Sequence, residues 1–177
     1  MSLKNCLALL FVLAFLSFLV QSDFGNVNVK SHTLYSSNNQ YVVYDLYKPS
    51  SASKENKAPF IVVVPGFQRS KEALSNIAIE LSRRGNVVAL IDPYAQGMSS
   101  SSLSRRAATT EGYGMFALID TVSKGNLFDF VDTDKMASTG HSMGGNAAIR
   151  GANYFGREAI RENKKREGET TPEKGKG

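Results

Sequence analysis

The stretch Phe60-Ile61-Val62-Val63-Val64 is apolar at every position and almost wholly β-branched. A strand with one wet face alternates apolar and polar residues; this one does not, so both of its faces must be covered. Sheets covered on both sides are mainly parallel, with helices as crossovers. A second such run lies in "NVVALID", and between the two "SKEALSNIAIELSRRG" has the spacing of a helix. Leu74, Ile77, Ala78 and Leu81 recur on one face, Ser70 stands where an N-cap is wanted, and Gly85 ends it. "TTEGYGMFALIDTVSKG" predicts a helix interrupted by glycine, "DTDKMASTG" a short third strand, and "GGNAAIRGANYFGREAIRENKK" a helix with glycine breaks. Ahead of these, "VNVKSHTLYS" and "QYVVYDLYKP" alternate in the manner of two antiparallel strands joined at "SSNNQ". "SSASKENKAP" is a polar linker and "DPYAQGMSSSSLSRR" a loop. The expected class is α/β: N-terminal antiparallel strands, then a mainly parallel sheet flanked by helices. Right-handed crossovers put chemistry at the C-terminal ends of such strands, where Gly66, Asp92 and Ser142 fall.

The first residues stand apart. Lys4 precedes an apolar run from Leu7 to Val20, interrupted only by Ser17. As a helix, those residues span about 21 Å, short of a bilayer crossing and suited to a signal-peptide core. Residues 1–22 are expected to be a signal peptide, with Val20 and Ser22 ahead of a cut at Asp23, or else a retained membrane anchor. Either makes the protein exported or membrane-associated. Cys6, the only cysteine, lies in that segment, so no disulfide and no cysteine-based metal site is expected downstream. The two histidines, His32 and His141, are far apart, and no cofactor is called for. The net charge of +5 is spread along the chain, without a basic stripe interleaved with aromatics, so nucleic acid is not an expected partner. The oligomeric state is not encoded in anything legible here.

Gly140-His141-Ser142-Met143-Gly144 reads G-x-S-x-G. Chance yields that pattern in roughly one chain in twenty of this length, so its setting has to carry the argument. A predicted strand runs directly into it and a small-residue helix follows, which is the strand–turn–helix a nucleophile elbow requires. Glycines two residues either side let strand and helix approach without Cβ clashes. Met143 opens the helix, so its N–H is free to bind an oxyanion. The plain alternative is that Ser142 only caps that helix.

"VVVPGF", "LIDPYAQGMSS" and "STGHSMGG", in that order, resemble the N-terminal portion of the α/β-hydrolase superfamily, in its esterase, lipase and dienelactone-hydrolase-like members. The resemblance covers about residues 27–160. It implies an α/β-hydrolase fold, a small-molecule acyl substrate such as an ester, and Ser142 as catalytic nucleophile. It also implies Met143 and Phe67 as the N–H donors of the oxyanion hole. Asp92, Gly97 and Ser99 match loosely the stretch that shapes the loop near the family's site. The family's acid and histidine follow the serine, whereas downstream of Ser142 this sequence has neither aspartate nor histidine. His141, next to Ser142 on a sharp turn, and His32, in the first strand, are poor bases. The resemblance therefore implies an incomplete hydrolase, truncated and close to inactive alone, or a non-catalytic remnant that binds a ligand or partner. Residues 162–177, "ENKKREGETTPEKGKG", carry no large apolar side chain and are expected to form a disordered polar tail.

Overall fold

The computed structural model describes residues 2–36, 39–101, 112–125 and 127–169, with backbone alone for 21 and 158–169. The elements are α1 (Leu3–Gln21), β1 (Val27–Tyr35), β2 (Tyr41–Pro49), β3 (Ala58–Val64), α2 (Ser75–Arg83), β4 (Val87–Ile91), α3 (Met115–Ser123), β5 (Val131–Gly140) and α4 (Met143–Glu169). One sheet holds the strands in the order β1-β2-β4-β3-β5. β3 runs parallel to β4 and to β5, while β1, β2 and β4 pair antiparallel. This is the mixed sheet expected for an incomplete α/β-hydrolase fold.

The run at Phe60 is covered on both faces. Phe60, Val62 and Val64, with Val87, Ala89 and Ile91, join a core cluster with Met115, Leu118 and Val122 of α3 and Ala147 of α4. The intervening Val63, Val88 and Leu90 face the other way and pack with Ala78 of α2. Alternation along each strand thus feeds two apolar layers rather than one apolar and one wet layer. Pro59 sits at a register irregularity between β3 and β5, where its missing N–H is tolerated.

Four details depart from the sequence reading. The helix after β3 begins as a 3-10 turn at Lys71–Leu74, and Ser70 makes no side-chain cap to it. The Ser70 hydroxyl instead serves the Glu72 carboxylate, which hydrogen bonds from Lys71 and Ser70 hold at a pKa of about 2. The late start of α2 changes its buried face: Ala78 and Ser82 are inside, and Ile77 is exposed. Glycine does not break the last helix, since α4 runs through Gly151 and Gly156. Helical backbone also continues to Glu169, into the tail expected to lack structure from 162, because Glu, Lys and Arg are good helix formers. Residues 170–177 lie outside the described residues.

The serine-rich loop after β4 has a structural task. β2 outruns β4, whose last paired residue is Ile91 opposite Tyr44. Beyond that point Ser100 and Ser99 hydroxyls accept the Tyr41 and Val43 N–H groups at 2.9 and 2.8 Å. The Asp92 N–H in turn donates to Val43 O at 2.8 Å. The loop replaces the missing length of strand.

Candidate functional site

β5 delivers the chain to Gly140, and α4 starts at Met143. Between them Ser142 takes φ 53°, a left-handed conformation that a residue with a Cβ adopts only where its surroundings enforce it. Three backbone hydrogen bonds do so. His141 N–H donates to Val64 O at 3.1 Å, Gly144 N–H to His141 O at 2.9 Å, and Asn146 N–H to Ser142 O at 3.1 Å. The glycines of the motif are spatial requirements. A Cβ on Gly144 would lie 2.0 Å from Val64 O, and one on Gly140 would lie 2.5 Å from the same atom.

The loop after β3 meets this turn. A Cβ on Gly66 would be 3.0 Å from His141 Nδ1 and 3.4 Å from Ser142 Cβ, so the Pro65-Gly66-Phe67 backbone lies directly beside the serine. Phe67 is exposed, and Gln68 also takes a positive φ of 56° in the turn closed by Arg69 N–H on Gly66 O. Among the described residues, neither the Phe67 nor the Met143 N–H donates to a backbone carbonyl. Ser142, Phe67 and Met143 are therefore neighbours, with Ser142 exposed to solvent.

Asp92 is buried and holds two loops in register. One carboxylate oxygen accepts Lys71 N–H at 2.7 Å and the other accepts Met98 N–H at 3.0 Å. Gly97 is needed there, since a Cβ on it would overlap the carboxylate. Ser99 Oγ donates to Asp92 O at 2.7 Å. This is the loop-shaping role the resemblance implied for these residues. Two participants escaped sequence reasoning. Gln96 Oε1 accepts Arg69 N–H at 3.3 Å, a second tie between the loops after β4 and β3. Lys71 is buried, and its ammonium reaches Glu72 at 2.7 Å and Asp45 at 3.4 Å. Nothing in the residue pattern distinguishes either from a surface side chain.

The histidines are not brought together. The His141 ring lies against Gly66. His32 stacks on Tyr44 at 5.4 Å between ring centres and meets Phe128 edge-on at 6.4 Å, at the start of β5 rather than its end. Among the described residues, no group of His, Cys, Asp and Glu could hold a metal ion. A cavity of about 970 Å³ lies elsewhere, between the last turn of α1, the Val27 end of β1, and α2.

Comparison with known proteins agrees with this geometry. The chain aligns with solved structures over most of its own length. Alpha/beta hydrolase GrgF from Penicillium sp. matches at 19% identity and a TM-score of 0.59, over 71% of this chain and 41% of that one. Brefeldin A esterase, a bacterial homologue of human hormone sensitive lipase, matches at 15% identity and a TM-score of 0.59, over 76% of this chain and 37% of that one. Ferulic acid esterase from Streptomyces cinnamoneus matches at 18% and 0.58, over 72% of this chain and 55% of that one. At such identities the likeness establishes the fold, and the chain spans about half or less of each structure's length. No curated protein matches the chain. The family PETase, described as PET hydrolase-like, matches residues 17–161. With the α/β-hydrolase sheet in place and most of its length covered by that match, the chain belongs to the PET hydrolase-like family of the α/β-hydrolase superfamily.

Proposed function

We propose that the cleft at the end of β5 is a serine hydrolase site for esters or related acyl compounds, with Ser142 as nucleophile. Ser142 Oγ attacks the substrate carbonyl carbon, and its proton passes to a base and then to the departing alkoxide. The acyl-serine formed is then hydrolysed by water, regenerating Ser142 and releasing the acid. The Met143 and Phe67 N–H groups stabilise the oxyanion in both steps. The observation that carries this reading is the left-handed Ser142 wedged between Gly66 and the start of α4. A serine that merely capped a helix would have extended rather than left-handed backbone.

Neither His32 nor His141 is placed as the base. Full activity is therefore proposed for an assembly that brings a histidine and an acid to this cleft, from further sequence or another polypeptide. The 177 residues alone should retain at most the residual rate that oxyanion stabilisation and binding provide. The placement of both histidines favours a second reading, a non-catalytic module binding a ligand in the same cleft.

A fluorophosphonate probe separates the two. Labelling of the folded chain that disappears in Ser142→Ala supports an activated serine. A folded chain that stays unlabelled at millimolar probe over hours shows that these residues alone do not activate Ser142 and favours the binding module.

A further inference from the structure

We propose that α1 stays attached as a membrane anchor and that it holds the domain with the Ser142 cleft turned away from the bilayer, so that the site meets acyl compounds arriving from the aqueous phase rather than membrane lipids. The substrate part of this statement rests on the hydrolase reading above; the anchoring and the orientation do not.

The first observation is that the domain grips the end of α1. Arg83, the last residue of α2, donates from Nη2 to Val20 O at 2.8 Å and pairs through Nε with Asp23 at 3.1 Å. It therefore caps a carbonyl in the last turn of α1. Ser22 O, the carbonyl of the peptide bond at which a leader would be cut, accepts both Gly25 N–H and Val27 N–H at 3.0 Å. Asp23 and Phe24 are both left-handed, with φ of 50° and 55°. The peptide at that point is folded into a closed turn continuous with the domain. A helix removed at Ser22 would leave Arg83 without the Val20 carbonyl it caps.

The second observation is what α1 offers on its other sides. Its 19 residues span about 28 Å, close to the roughly 30 Å of a hydrocarbon core. The structured helix is longer than the apolar run read from sequence because it includes Gln21 and Leu3 to Cys6, where Lys4 can reach a headgroup layer. Its 18-residue window Leu3–Val20 has a mean hydropathy of 2.3, and none of that window is buried in the protein. Apolar side chains point outward all round: Leu7, Leu10, Phe11, Leu13, Phe15 and Phe18 are all exposed. A helix that docked in a protein groove would keep one polar face. A bilayer covers every face at once.

The third observation gives the orientation. β1 begins at Val27 opposite Pro49, beyond the Val87 end of β4, so the chain enters at the N-terminal ends of the parallel strands. Ser142 follows the C-terminal end of β5. β1 and β5 are also the two opposite edges of the sheet. Four strand spacings of about 4.8 Å and a strand of seven residues at about 3.3 Å put the exit of α1 and Ser142 at opposite corners, roughly 30 Å apart.

The test uses the full chain reconstituted in phosphatidylcholine vesicles that carry a headgroup quencher. In a Cys6→Ala background, a fluorophore is attached at Phe24→Cys, beside the exit, or at Met98→Cys, in the loop beyond β4. Both positions are exposed, and Tyr35→Cys at the far end of β1 is a second distal reporter. The expected result is an intact N-terminal segment by mass, strong quenching at position 24, and little at 98 or 35. A membrane-extracted chain beginning at Asp23 overturns the anchor, and equal quenching at all positions overturns the orientation. Fluorophosphonate reactivity does not enter either readout, so a failed hydrolase reading remains distinguishable from a failed anchor.

Discussion

At Gly144 the backbone of α4 passes so close to the end of β3 that a methyl group would lie 2.0 Å from Val64 O. The obstacle is a strand carbonyl, which cannot swing aside as a side chain does. Gly144→Ala should therefore push strand and helix apart and destabilise the domain by more than about 3 kcal/mol, at the severe end for single substitutions. Urea unfolding of the two proteins measures this, and an unchanged midpoint would show that the turn is slack. Gly145, one residue on, meets only Gly140 O at 3.2 Å and is the natural control. The two glycines look alike in the sequence, and only the strand behind the first tells them apart.

The elements most legible in the sequence were those whose burial leaves a periodic trace. β3 and β4 announced themselves as unalternating β-branched runs, and β1 and β2 as alternating ones, since burial on two faces or on one dictates those patterns. The first turn of the helix after β3 was misread, because the buried Lys71 and the 3-10 start depend on Asp45, Glu72 and Asp92, remote or neighbouring charges that leave no periodicity. The glycines of α4 were also misread as breaks. Gly151 faces α3, where a Cβ would stand 2.7 Å from Met115 Cε and 3.2 Å from Phe116 Cε1; Gly156 faces open space. Gly156→Ala should thus stabilise the domain by about 0.5–1 kcal/mol through helix propensity alone. Gly151→Ala should gain less, since Met115 must move. Equal shifts in the unfolding midpoint would mean that α3 and α4 do not press together at that point.

For the whole molecule, the candidate site was legible as a linear motif, but its second half was not. Phe67 lies 75 positions before Ser142 in the sequence, and only the parallel pairing of β3 with β5, Val64 opposite Gly140, sets them side by side. No local pattern reports that pairing; the family resemblance supplied it. The ties from Asp92 and Gln96 span fewer residues, 21 and 27, but they too join loops from two strands and leave no local pattern.

The conformation of Ser142 sets the chain a choice between robustness and reactivity. Left-handed backbone penalises any side chain by about 1–2 kcal/mol, whereas glycine accepts it and forfeits about 0.4–1 kcal/mol through a freer unfolded chain. Ser142→Gly should accordingly raise stability by about 0.5–1 kcal/mol in thermal unfolding while deleting the hydroxyl. A scaffold freed of any duty at this corner would find glycine the easier tenant; a melting temperature that fell on the exchange would reveal that the serine side chain holds the fold together.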